Sequence, residues 1–570
     1  MSRNNTGRRV NKLNDRDDAG YPRILTVFLF VILAAYLAVF FVKQAPNITD
    51  HYIINSDERI WVAPLFAAQG VENPNHDWLA LQLRNHYIPW GYLLIAGACL
   101  KLVSPYLFVK LCTILIYAAI LLLVFLIGRE LGGNTVAVLA TLIAAHANMC
   151  FDFICWGIPR SFSLPLVLLL VWGLIVKRRA VVAAALVLGA LIYPIVAPTL
   201  LMIWGLDISY RFFKSENRPS FLRAEIIGLI GVSICMALLI SRAVYVQDRA
   251  GKIYSPEQAR QMEEFREKGR FYYFPLLPLR QELERGLGMM LVAPGKRDEP
   301  LGPLGTLAWE FILFGLVIIG IAAGRRAPPA WMFCWLAGGL TVLLISRAIP
   351  PTLIEPGRHS FFSLALVPIL LLPWALHQIA GRLGASARSM LIISFLCSLF
   401  LLGGTGLVYD LGRGVNENDK KPLFEFIDTL PTDALLAGPP DLLDSVRYFT
   451  GRAQYVGYEA TMPYCRDFYS ELKRRALAVG RAYYAADAAD VVSFADREGV
   501  DYMILDNRLY RGDFLAGKVP FFFEPIDSEI RLSVNRNGPF ALGVAPKQSV
   551  IYLDRQYAVI DMELFARLTD

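Results

Sequence analysis

Asp57 and Glu58 are adjacent carboxylates a short way past the first long apolar run, in a stretch expected to lie outside a membrane. A carboxylate so placed can take a proton from an attacking hydroxyl. The same face is expected to gather His76, Asp77, Arg84 and His86 from the first loop, and Asp152 and Arg160 beyond the third span. Arg347, Glu355, Arg358 and His359 join them ahead of the tenth. Arginines grip phosphate bidentately, so acids and arginines at one membrane face suit chemistry on a phosphate whose lipid tail stays in the bilayer. Arg160 follows Pro159 and Arg358 follows Gly357, each just ahead of an apolar helix. Exposed N–H groups at helix starts favour an anionic leaving group there. The bland reading is that such arginines snorkel to headgroups and that an acidic pair is a solvated turn.

The elements that must hold these residues are membrane helices. Of 570 residues, 55% are hydrophobic and 18% charged, more apolar surface than a soluble fold of this size can hide. The net charge of +7 reflects Lys and Arg at span ends, the positive-inside pattern, and not nucleic-acid binding. Residues 1–22 read as a disordered cytoplasmic tail and 23–43 as an anchor span; no small-residue cleavage site follows that would make it a signal peptide. The external loop 44–105 ends in an apolar stretch broken by Pro89 and Gly91, read as an interfacial helix. Spans follow at 106–127, 133–150 and 161–176, then a two-helix hairpin over 180–206, and then 222–241, 303–323, 329–346, 360–376 and 389–409. This order puts Arg129, Lys177–Arg179, Arg211, Lys214, Arg325–Arg326 and Arg382–Arg388 on one side. Full crossing by 87–103 would invert it. The transmembrane region is thus 23–410, with about eleven spans.

Two polar regions remain. The external loop 244–302 carries Arg270 beside Phe271–Phe274, an aromatic and basic cluster expected at the headgroup boundary. Residues 411–570 alternate short apolar strands (434–437, 502–505, 550–553) with helical stretches (441–450, 464–479, 486–498), which predicts a separate exported soluble α/β domain. Asp441 is expected to cap a helix, and Lys110 to snorkel. Seven of eight cysteines lie in or beside apolar spans, so no disulfide framework is implied.

The order anchor helix, acidic pair, then His86 opening an interfacial helix resembles the GT-C superfamily of integral-membrane glycosyltransferases. It is most similar to the branch of protein O-mannosyltransferases and lipid A aminoarabinose transferases. The matching segments are Ser56-Asp57-Glu58-Arg59, Asn85-His86-Tyr87-Ile88-Pro89 and Gly357-Arg358-His359-Ser360, within roughly residues 23–380. Two letters depart from the pattern. The second segment has one proline where the family has two, and His359 stands where it has tyrosine. The Trp-Trp-Asp signature of oligosaccharyltransferases is absent.

The resemblance implies a sugar moved from a polyprenyl-phosphate donor to an acceptor on the exported face, by single displacement with inversion. Asp57 would be the base, and Glu58 would support it or orient the acceptor. Arg160 and Arg358 would hold the donor phosphate. Arg84, His86 and His359 would lie near the donor, with His76, Asp77 and Asp152 in support. No cofactor is required. A divalent cation could sit at Asp57 and Glu58, with Asp77 as a further oxygen ligand. The partners would be the lipid-linked sugar, the bilayer and a glycan, lipid or protein acceptor. The setting would be a bacterial inner membrane with the N-terminus cytoplasmic. The alternatives are a polysaccharide polymerase or ligase, and a non-catalytic transport or assembly protein of envelope glycan synthesis. A transporter would carry midplane charges and related halves, which the sequence lacks.

Overall fold

A computed structural model describes residues 48–61, 77–146, 157–279, 281–283, 315–322, 328–353, 355–383, 414–534 and 539–569. It also describes scattered positions between 27 and 46. The 1–22 tail, His76, Asp152, the anchor as a continuous span, most of 303–323 and the span at 389–409 lie outside these residues.

Five helices among the described residues are long and apolar enough to cross a membrane. The chain is an integral membrane protein. After the short α1 (Trp78–Gln82) and α2 (Trp90–Cys99) comes α3 (Pro105–His146), which is two helices joined by a sharp turn at Gly132 and Gly133. Gly133 has φ +72°, a conformation a side chain would strain. α4 (Ser163–Ile175), α5 (Arg179–Ile192) and α6 (Ala197–Lys214) follow, with α5 and α6 forming the expected hairpin around Pro194. α7 (Ile226–Ala250) runs nine residues past the span expected there, so the loop that follows begins at Gly251. α8 (Ala330–Ala348) and α9 (Leu366–Arg382), the latter continuing the turn Pro356–His359, complete the described membrane helices.

α7 shows how these helices meet lipid. It buries Gly228, Gly231 and Cys235 and exposes Ile226, Ile227, Ile230, Ile234 and Ile240. Small residues let helix backbones approach, and the outward isoleucines need hydrocarbon rather than water around them. α2, with ten residues, spans about 15 Å and cannot cross a hydrocarbon core of about 30 Å. It packs on α5 so closely that a Cβ on Gly91 would lie 2.8 Å from the Leu191 carbonyl carbon.

The C-terminal part is built on a five-stranded mixed sheet of β3 (Leu435–Ala437), β4 (Ala453–Gln454), β5 (Tyr502–Asp506), β6 (Val550–Leu553) and β7 (Tyr557–Asp561). Its order is β4-β3-β5-β7-β6. β3 runs parallel to β4 and β5, whereas β7 is antiparallel to β5 and β6. Helices α10 (Pro440–Thr450), α11 (Arg466–Tyr483) and α12 (Ala488–Glu498) cover it. α10 has Pro440 in its first turn and Gly451 as a left-handed C-terminal residue, the pattern that starts and stops a helix.

This part is not separate, as the sequence reading expected. β1 (Ile53–Asn55), immediately before the acidic pair, pairs antiparallel with β2 (Gly414–Asn416), with Ile54 opposite Val415. Within Phe271–Phe274 the tyrosines divide, Tyr272 being exposed and Tyr273 turned inward. Tyr273 is buried, stacks on Phe265 and shares a 2.7 Å hydrogen bond with the Tyr464 hydroxyl, so it is not a headgroup belt. Lys110 does not snorkel; it is buried and donates to the Asp50 carbonyl.

Candidate active site

Asp57 sits in the turn between β1 and the short helix beginning at Glu58, with its backbone N–H donating to Asn55 Oδ1 at 2.9 Å. Its carboxylate is ion-paired with Arg160, which arrives from the 3-10 turn Pro159–Phe162 at the head of α4. That turn reaches the site because Gly157, at φ +58°, lies against α3. A Cβ there would be 2.6 Å from the Val109 carbonyl oxygen. Arg160 is 6% exposed, and its Nε and second terminal nitrogen have no hydrogen-bond partner among the described residues.

Arg358 comes from the turn that opens the α9 segment. Its Nε donates to Glu355 at 3.1 Å and a terminal nitrogen donates to the Tyr193 hydroxyl at 3.3 Å. Tyr193, at the break between α5 and α6, is also within electrostatic reach of Arg160. Tyr87 lies within the same reach of both Arg358 and Asp57 and stacks on Trp61 at 4.7 Å. Residues 57, 160 and 358, distant in sequence, therefore meet around two tyrosines.

Glu58 faces another way. It is fully buried, and accepts from the Tyr448 hydroxyl of α10 and from the Asn55 N–H at 3.2 Å. Burial pushes its carboxyl up to about 7 against the pull of those two hydrogen bonds and of Lys110. A group so enclosed cannot orient an acceptor, which corrects that expectation and leaves it a supporting place behind Asp57. Arg59 continues the pattern, bonding Asp441 Oδ1 at 2.8 Å and Ser445 Oγ at 2.9 Å, both on α10. Asp441 therefore does not cap α10; the first turn there is satisfied without a side-chain cap.

The remaining expected residues divide as follows. Asp77 caps α1 through Ala80 N at 2.9 Å and is ion-paired with the buried Arg447, so it joins loop to C-terminal part and is no ligand. His359 is buried, with Nε2 donating to the Leu353 carbonyl at 3.1 Å, away from the donor role expected of it. Arg84 is exposed and makes no hydrogen bond or ion pair among the described residues. His86 lies in the turn before α2, its side chain outside the description. The acidic pair does not offer two free carboxylates to a divalent cation, because Asp57 is paired with Arg160 and Glu58 is enclosed behind Tyr448. Among the described residues no group of three His, Cys, Asp or Glu side chains could hold a metal ion.

Sequence reasoning missed residues that close the site from the C-terminal side. Glu459 binds Arg270 at 2.6 Å, lies 3.6 Å from Arg59 and is within electrostatic reach of Asp57. Burial raises its carboxyl despite Arg270. Arg270 in turn lies 4.5 Å over the Tyr458 ring. Tyr464, hydrogen-bonded to Tyr273, is within reach of Arg358. No local motif marks these positions. Pro194 directly after Tyr193 was the one available signal, since a helix break exposes the residue before it.

No family model and no curated relative matches the sequence. Solved structures do. ArnT from Cupriavidus metallidurans bound to undecaprenyl phosphate matches over 94% of this chain and 98% of its own, at 12% identity and TM-score 0.52. The oligosaccharyltransferase of Archaeoglobus fulgidus in the apo form matches over 88% and 72%, at 11% identity and TM-score 0.50. Helical membrane part and C-terminal sheet together thus give this chain the fold of those two membrane proteins.

Proposed function

We propose that the chain is a membrane glycosyltransferase that moves a sugar from a polyprenyl phosphate to an acceptor hydroxyl on the exported face of a bacterial inner membrane. The observation that carries this reading is Arg160, a buried guanidinium that holds Asp57 with one nitrogen and leaves its other two nitrogens without an acceptor among the described residues. A buried donor without a partner is costly, and an incoming phosphate oxygen would satisfy it. Arg358 adds a second cation that bonds Tyr193, which Arg160 also reaches, and the ArnT structure with the same fold holds undecaprenyl phosphate.

In this reading the acceptor oxygen attacks the anomeric carbon from the face opposite the phosphate. The bond from that carbon to the phosphate oxygen breaks, its electron pair leaves with the polyprenyl phosphate, and the acceptor proton passes to Asp57. Arg160 and Arg358 stabilise the charge that grows on the leaving phosphate, so no general acid is needed. Asp57, held by Arg160, is the proton acceptor, while Glu58 stays in its enclosed place behind the turn.

Asp57→Asn tests the reading. Transfer should fall at least about a hundredfold in inner-membrane vesicles while the chain still folds and binds undecaprenyl phosphate. Unchanged transfer would remove Asp57 as the base. A reporter fused after Leu430 should be active only on the exported side of the membrane. Product length separates single transfer from polymerase or ligase activity, which the outer-face arginines would also suit.

A further inference from the structure

The acidic turn is held from behind by one helix of the C-terminal part, and that helix makes no contact the reaction itself requires. Tyr448 donates to Glu58, Ser445 and Asp441 accept from Arg59, and Arg447 pairs with Asp77 in the same loop. The Tyr448 carbonyl accepts from the Tyr106 hydroxyl of α3 at 2.8 Å, which ties the helix to the membrane part as well. Strand pairing of β1 with β2 anchors the chain just before the turn. Asp57 therefore lies between anchors on both sides that come from residues beyond 413.

We propose that α10 is the positioning element of the site: Tyr448 through Glu58, and Asp441 with Ser445 through Arg59, set where the Asp57 carboxylate points. This rests on the reading of Asp57 as base. A general base works only when it is held within a few tenths of an ångström of its proton, so a loosened turn should lower turnover more than donor affinity. Tyr448 and Asp441 are positioning residues and touch no substrate.

Two variants of the full chain in lipid nanodiscs test it, Tyr448→Phe and Asp441→Asn. The first readout is amide hydrogen exchange over residues 53–61. Each variant should speed exchange there several-fold and leave β5 and β7 unchanged. The second is donor turnover with a panel of undecaprenyl-phosphate-linked pentoses and hexoses. Tyr448→Phe should lower kcat about 10- to 100-fold with KM nearly unchanged, the loss of one hydrogen bond to a charged group. The third is the pH profile. Glu58 is faced by Tyr448 from α10, Tyr92 from α2, Tyr106 and Lys110 from α3, and the Asn55 N–H. Losing the Tyr448 bond, which holds the Glu58 carboxyl down, should move the acid limb to higher pH. Unchanged exchange over 53–61 in both variants would overturn the proposal whatever the turnover. If exchange rises but turnover and pH profile hold while Asp57→Asn is inactive, the clamp is structural only and the proposal falls, yet the base assignment stands. Full activity of Asp57→Asn would instead sink the reading beneath it.

Discussion

Arg160 pairs with Asp57 through one terminal nitrogen and keeps its Nε and other terminal nitrogen buried without a partner among the described residues. The guanidinium is thus half committed: one edge holds the carboxylate, and the other offers buried donors that the proposed reading assigns to the phosphate. Arg160→Lys keeps the charge but not the fork. It should weaken undecaprenyl phosphate binding about tenfold, and Arg160→Ala about a hundredfold. Titration of nanodisc-held protein with undecaprenyl phosphate would show it, and parent-like affinity in both variants would remove Arg160 from the phosphate site.

Stability should depend on pH in two opposite windows. Burial raises the Glu58 and Asp444 carboxyls to about 7 and Asp527 to about 6, from 4.5 or 3.8. The folded state then binds more protons than the unfolded one, so stability falls as pH climbs from about 4 to about 7. Glu498 moves the other way, down to about 2, chiefly through its hydrogen bond from Arg474. Its contribution is present above 4.5 and lost as pH falls toward 2. Thermal unfolding between about pH 3 and 8 should peak near about pH 4–5. The Tm of Glu58→Gln, relative to the parent chain, should rise with pH across the upper window.

Arg447 and Asp77 form an ion pair in which both side chains are at most 3% exposed. Removing one partner leaves a buried charge, which costs about 3–5 kcal/mol. Arg447→Ala should therefore lower Tm sharply and make the linker near residue 414 sensitive to protease. Asp77→Asn keeps the helix cap but strands the Arg447 charge, so it should lower Tm as well. A Tm like the parent's in both variants would mean that the pair adds nothing.

Gly91→Ala should push α2 away from α5, because a Cβ there would sit 2.8 Å from the Leu191 backbone. Overpacking of this kind costs about 1–3 kcal/mol. Gly97→Ala on the same helix is the control, since a Cβ at that position meets nothing within 4 Å. Thermal unfolding of the two variants side by side separates contact from helix propensity, which favours alanine in both.

Much of this protein is legible in its residue order. Apolar runs bounded by basic residues place α4 and α8 closely, since a bilayer demands about twenty apolar residues per crossing. Pro194 marks the hairpin, and Pro440 and Gly451 bracket α10. The spacing of Asp57, Arg160 and Arg358 just ahead of their helices is likewise local information. Its expression as one site is not. Which carboxylate of the pair faces Arg160 and which is sealed behind Tyr448 depends on a helix some 390 residues away, and neighbouring letters carry no trace of that choice. Asp77, Asp441 and His359 were drawn toward function or capping by their types, yet each is spent on a contact whose partner lies elsewhere in the chain or in a nearby backbone turn. Period and hydropathy are read along the chain, so they set the helices. A hydrogen bond across folded segments exists only once the segments meet, so Arg160 from the membrane part and α10 from the C-terminal part together decided which way each side chain of the acidic turn points.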